Sequence, residues 1–143
     1  QSFFISDLGK PKVDAIKQQI ANINPFVQVV AKRCHANQHN IVDLCCGASV
    51  VCEAVDDPAT KAMIVNKLIE DCPNVWLVAS SGMAGIYSAN LIKTTKKMNR
   101  LFVCGDGQNE AKKGEGLMSP RVVACAAHQA NMALRLLMDI EEE

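Results

Sequence analysis

Two adjacent carboxylates, Asp56 and Asp57, follow the apolar run SVVCEAV at residues 49–55. The carboxyl end of a parallel strand is where open α/β sheets gather ligands. A carboxylate pair there could hold Mg²⁺, which takes few protein oxygens and completes its shell with water or phosphate. The plainer reading makes Asp57 a helix N-cap ahead of Pro58 and leaves Asp56 as a polar loop residue. Lys12, in the turn Gly-Lys-Pro-Lys at 9–12, is a flexible point charge suited to a phosphate. At a helix start it gains nothing from the helix dipole, although solvated surface lysines are common. Cys104 ends an apolar run and opens a glycine-containing loop, which makes it the thiol best placed to react if a nearby cation lowers its pKa. The alternative is a buried strand cysteine.

Other groupings carry weaker chemistry. Cys34, His35, His39, Cys45 and Cys46 lie close in sequence, but there is no CxxC pair, and adjacent cysteines in a short helix point apart, so zinc is not expected. Neither GxGxxG after a strand nor GxxxxGK[ST] is present. His128, set among alanines, reads as a satisfied core histidine. Lys93, Lys96, Lys97 and Arg100 could dock an acidic partner or simply blunt a sheet edge.

The elements that position these residues follow from composition and periodicity. Lys plus Arg (15) balances Asp plus Glu (15) over 143 residues, which speaks against a dedicated nucleic-acid or acidic-membrane binder. A 49% hydrophobic content excludes disorder, and the length suits one domain. No apolar run reaches the roughly 20 residues of a bilayer span and no signal pattern opens the chain, so a soluble, cytoplasmic protein is expected. The seven cysteines are expected to be mostly reduced and buried.

Residues 9–24 carry Val13, Ile16, Ile20 and Ile23 at helical spacing, closed by Pro25. Residues 26–34 read as a strand, 41–46 as a short helix and 49–55 as a buried parallel strand. A helix starts at Asp57 and Pro58 and runs toward Cys72, and residues 75–80 form the next strand. Residues 89–95 and 101–104 read as antiparallel strands joined by a basic turn. Ser119 and Pro120 open a helix to about Met138 that is apolar on nearly every side, which requires burial against the sheet or a partner chain. The fold class is therefore α/β: a mainly parallel sheet with an antiparallel hairpin and a buried C-terminal helix.

Three ordered segments resemble the ThiF/MoeB/HesA family of sulfur-carrier adenylyltransferases, relatives of the ubiquitin-activating enzymes. They are Gln1 with Gly9, Lys12, Ile23, Asn24 and Pro25; the run VVCEAVDDPATK; and GLMSPRVVACAAHQANMALRLLM. The wording EAVDD, SSGMAG, NLIKT and CGDG looks closest to ThiF family 2. The resemblance implies a Rossmann-like fold and ATP-dependent adenylation of the C-terminal carboxylate of a ubiquitin-like sulfur carrier ending in Gly-Gly, as in thiamine-type sulfur transfer. It also implies ATP and Mg²⁺ as cofactors, a homodimer, and no nucleic-acid or membrane partner. On it, Asp56 helps hold Mg²⁺ while Lys12 and Gln1 contact phosphates. The strand end and Lys61 favour Asp56 as the metal ligand, whereas counting to Asn66 would favour Asp57.

The family's glycine loop, ribose-binding acidic residue and donated arginine all precede the position of Gln1. The 143 residues thus correspond to a single domain without its first βαβ portion, about the C-terminal two-thirds, and are expected to be inactive alone. The paired CxxC zinc motifs of many members are missing, leaving Cys104 as the nearest candidate for a covalent thiol. A non-catalytic Rossmann-like binding or dimerisation module is the alternative, and part of a nicotinamide-dependent oxidoreductase a third reading.

Overall fold

The computed structural model describes residues 2–111 and 116–142, divided into two compact units, residues 1–35 and 36–143. In the first, a 3-10 turn at Ile5–Asp7 precedes helix α1 (Lys12–Ile23), as the periodicity predicts. Pro11 stands at its N-cap, and Ala15 is its buried residue. The strand expected at 26–34 does not form. Phe26 and Val30 are 92% and 81% exposed, and the segment pairs with no strand among the described residues, so β-branched composition alone leaves it irregular.

The second unit contains α2 (Ile41–Cys45), β1 (Val50–Cys52), α3 (Pro58–Asp71), β2 (Trp76–Ser80), β3 (Lys93–Met98), β4 (Leu101–Gly105) and α4 (Ser119–Leu137). Sheet order is β1-β2-β4-β3. β1 pairs parallel with β2 and β2 with β4, whereas β3 and β4 form the antiparallel hairpin. This is the expected α/β class. The first hairpin strand starts later than expected, because Ala89–Leu91 turn as a 3-10 helix with Ser88 Oγ accepting from Asn90 N–H at 3.2 Å.

Alternation along β2 sends Leu77 and Ala79 to one face and Val78 to the other. The first face packs on Ile41 of α2 and on Ile64, Leu68 and Cys72 at and beyond α3, with Leu101 of β4. The second packs Val78, Phe102 and Cys104 against Cys125, Met132 and Leu136 of α4. Helix α4 buries the stripe Arg121, Cys125, Gln129, Met132 and Leu136, while Val123, Leu134 and Leu137 remain exposed. Its burial is thus one-sided, against the sheet.

The cysteines depart from expectation. Cys46 and Cys72, each capping the end of a helix, are disulfide-bonded with Cα atoms 5.3 Å apart. Cys34 and Cys52 are exposed, and only Cys104 and Cys125 are buried free thiols among the described residues.

Candidate functional site

The parallel strands end on one edge of the sheet, and the candidate groups sit on the segments that leave it. β1 runs into Glu53, whose N–H donates to Val78 O at 3.0 Å. The Glu53 carboxylate is buried, accepts from Val55 N–H at 2.6 Å and forms an ion pair with Lys61 of α3. Lys61 Nζ also donates to Ser80 Oγ, at the end of β2, over 3.1 Å. From beneath, Gln129 Nε2 donates to Glu53 O at 2.9 Å and Val78 O at 3.0 Å. A buried charge persists only where it is paired and hydrogen-bonded, and these contacts lock the first turn of α3 to the strand ends.

That lock presents the Asp56–Asp57 pair, and the two carboxylates have different work. Asp57 Oδ2 accepts from Thr60 N–H at 2.7 Å and Thr60 Oγ1 at 2.6 Å, which makes it the N-cap of α3. The same Thr60 hydroxyl and amide hold its carboxyl below the usual aspartate value. Asp56 is exposed, and its carboxylate makes no hydrogen bond or ion pair among the described residues.

The loops after β2 and β4 are interlaced. Ser81 N–H donates to Cys104 O at 2.9 Å, Asp106 N–H to Gly82 O at 2.9 Å, and Gly107 N–H to Ser81 O at 3.2 Å. Gly82 and Gly105 have φ of +76° and +140°, and a Cβ on Gly105 would lie 1.6 Å from Ser81 O. Asp106 accepts from the backbone N–H groups of Gln108 and Asn109 and from Asn109 Nδ2 at 2.6 Å. It also forms a 2.5 Å ion pair with Arg121. Burial works to raise the Asp106 carboxyl, but these hydrogen bonds outweigh it and hold the pKa at about 2. Arg121, 3% exposed, donates as well to Tyr87 O at 2.9 Å and Ser88 O at 2.6 Å. It ties α4 to both loops.

Of the residues expected to do chemistry, Lys12 is the exposed first residue of α1 in the first unit. Gln1 lies outside the described residues. Cys104, read as a loop-edge thiol or a buried strand cysteine, sits as the second: α4 covers it, it is fully buried, and burial pushes its pKa up. Its neighbour Cys125 is raised further, to about 11, chiefly by burial. His128 Nδ1 lies 3.0 Å from Thr94 Oγ1. No group of three or more His, Cys, Asp or Glu able to hold a metal occurs among the described residues.

Sequence reasoning singled out Lys61 only by resemblance and passed over Glu53, Asp106 and Arg121. The available signal was a lone charge inside an apolar stretch, as in VVCEAV and PRVVACAA, which burial must pair.

A sequence model of the ThiF family matches residues 1–143. Among solved structures, one described as TcdA (CsdL) superposes with TM-score 0.82 at 16% identity, covering 95% of this chain and 68% of that one. The E. coli tRNA N6-threonylcarbamoyladenosine dehydratase TcdA in complex with ATP gives TM-score 0.81 at 16% identity, covering 95% and 67%. Its AMP complex gives 0.81 at 16%, covering 95% and 68%. No curated protein sequence matches. The likeness to these structures is one of fold, and the match along the whole chain carries the assignment: the chain belongs to the ThiF family.

Proposed function

We propose that the protein containing this chain is an ATP-dependent adenylyltransferase that activates a carboxylate. The observation that carries the reading is the division of labour at the end of β1, where Asp57 is committed to capping α3 and Asp56 is exposed and unengaged among the described residues. One free carboxylate suits Mg²⁺, which is commonly held by one or two protein carboxylates with phosphate oxygens and water completing the shell. The metal, when bound by Asp56, would neutralise charge on the nucleotide phosphates.

The chemistry makes the demand plain. A carboxylate oxygen attacks the α-phosphorus of ATP, the bond from that phosphorus to the bridging oxygen breaks, and pyrophosphate leaves as the acyl adenylate forms. Two anions must approach, so fixed positive charge is what lowers the barrier. Lys12, with Gln1, supplies the phosphate contacts in this reading. The Glu53–Lys61–Ser80 contacts position Asp56 without entering the reaction.

The substrate we propose is the C-terminal carboxylate of a ubiquitin-like sulfur carrier ending in Gly-Gly, as in thiamine-type sulfur transfer. The enzyme would act as a homodimer with the exposed side of α4 within the interface. The similarity to a tRNA N6-threonylcarbamoyladenosine dehydratase favours a second reading, in which the carboxylate is carried on RNA. The even charge balance, 15 against 15, weighs against a polyanionic substrate.

ATP–pyrophosphate exchange in the full-length protein tests the assignment. Asp56→Ala is expected to lower exchange by about 10²-fold, and Asp57→Ala to retain most of it. Normal exchange in Asp56→Ala with none in Asp57→Ala would overturn it. Stimulation by a Gly-Gly-tailed carrier rather than by tRNA separates the two substrates.

A further inference from the structure

Strand β3, KTTKKM, is an edge of the sheet, and its outer side pairs with no strand among the described residues. Lys93, Lys96 and Lys97 are exposed along it, and Arg100 follows the turn. Two of these cations are held in place. Lys96 Nζ lies 5.6 Å from the centroid of the Trp76 ring and 5.5 Å from that of Phe102. The Arg100 guanidinium sits 4.7 Å over Trp76 and donates to Asn74 O at 3.1 Å. Cations anchored on aromatic faces lose less freedom on binding an anion than solvated lysines do.

A carboxylate is already there. Glu141 Oε2 lies 3.4 Å from Lys96 Nζ, and Arg135 donates to Glu142 O at 3.1 and 3.3 Å, steering the acidic residues beyond α4 toward β3. Edge protection accounts for lysines on an outer strand, but not for a carboxylate from beyond α4 paired with one of them. A single-stranded nucleic acid would need free aromatic faces for stacking, whereas Phe102 is fully buried and Trp76 half-buried beneath the cations.

We propose that β3 is a docking edge for an extended acidic segment of a partner protein, and that the chain's own Glu141 and Glu142 compete for it. Main-chain pairing to the open edge would give affinity, and the lysines would select for acidic side chains. This surface is separate from the adenylation reading and does not depend on it.

The test is fluorescence anisotropy of a labelled glutamate dodecapeptide with the full chain at low salt. Binding is expected, weakening as salt is added. The double variant Lys93→Glu/Lys97→Glu should weaken it about tenfold or more, and the control Lys17→Glu/Lys32→Glu should leave it unchanged. Glu141→Gln/Glu142→Gln should tighten it about threefold by removing the competitor. If charge reversal unfolds the protein, judged by circular dichroism, Lys93→Gln/Lys97→Gln gives the same readout. No binding, equal binding by the lysine variants, or tighter binding of a uridine dodecamer through the same lysines would overturn the proposal. An unchanged affinity in the glutamine variant would overturn the competition.

Discussion

Arg121 and Asp106 form a buried pair of side chains that is costly to break. Their ion pair is 3% and 6% exposed, and Arg121 Nε has no partner among the described residues, so once Asp106 is lost only the carbonyl oxygens of Tyr87 and Ser88 remain to the guanidinium and its buried charge is unpaired. Replacing Arg121 with Met is expected to lower stability by about 3 kcal/mol, read as a shift in the urea midpoint. The pH dependence has a definite sign. A carboxyl whose pKa falls from 3.8 to about 2 on folding stabilises the native state above pH ~4 and loses that contribution as pH drops through about 2. The contribution is about 2 kcal/mol. Denaturation at stepped pH should therefore show the gap between wild type and Asp106→Asn narrowing from about pH 5 down to 2. A gap that stays constant would mean that the ion pair does not set this titration. Asp57 and Asp56 separate on the same scale: Asp57→Ala should cost about 1 kcal/mol through the lost cap, and Asp56→Ala less than about 0.5, by thermal melting. The cap was legible because Asp-Pro ahead of an apolar period is a local signal. The buried pair was not, because Asp106 and Arg121 are 15 residues apart and meet only once α4 lies on the sheet.

Among the elements, the end of β4 and the loop that follows it depend on glycine for different reasons. At Gly105 a Cβ would lie 1.6 Å from a backbone carbonyl oxygen, which cannot swing aside as a flexible side chain can. At Gly107 the space is open, and a φ of +68° sets the only strain. Gly107→Ala is thus expected to cost about 1–2 kcal/mol and Gly105→Ala distinctly more, as compared by chemical denaturation. Equal costs would show that the loops move apart easily. Helices α1, α3 and α4 were legible from apolar pattern and from a proline at or beside the first turn, with a capping side chain at α3 alone, since these signals are local to each helix. Strand assignment at 26–34 failed because a strand is completed by a partner, and alternation in one segment says nothing about whether a partner is adjacent. Cys104 shows a related limit. Its place at a loop edge was legible, but the choice between a reactive thiol and a buried strand cysteine turned on α4, which starts 15 residues later.

For the molecule as a whole, the sheet in the second unit has unequal support on its two faces. One face carries α4, 19 residues long, while the other relies on α3 and the five-residue α2. A helix that short has no stability of its own, so tertiary anchors must hold α2 in place. Ile41 supplies one, buried against Ile64, Leu68 and Leu77. The disulfide supplies the other, because Cys46 at the end of α2 is joined to Cys72 at the end of α3 across 26 positions. Closing a loop of that length removes enough unfolded-chain entropy to stabilise by about 3 kcal/mol. Cys46→Ser is the cleaner probe of this anchor, since Cys46 is exposed and accepts a hydroxyl, whereas Cys72 is 4% exposed and would leave one buried. The variant should melt lower than the oxidised wild type and be insensitive to reductant. Wild-type protein should fall to the variant's midpoint when reduced. Alkylation of the unfolded, unreduced protein should label five of the seven cysteines. Seven labelled thiols together with a midpoint that reductant does not move would show that Ile41 and its neighbours alone keep α2 on the sheet.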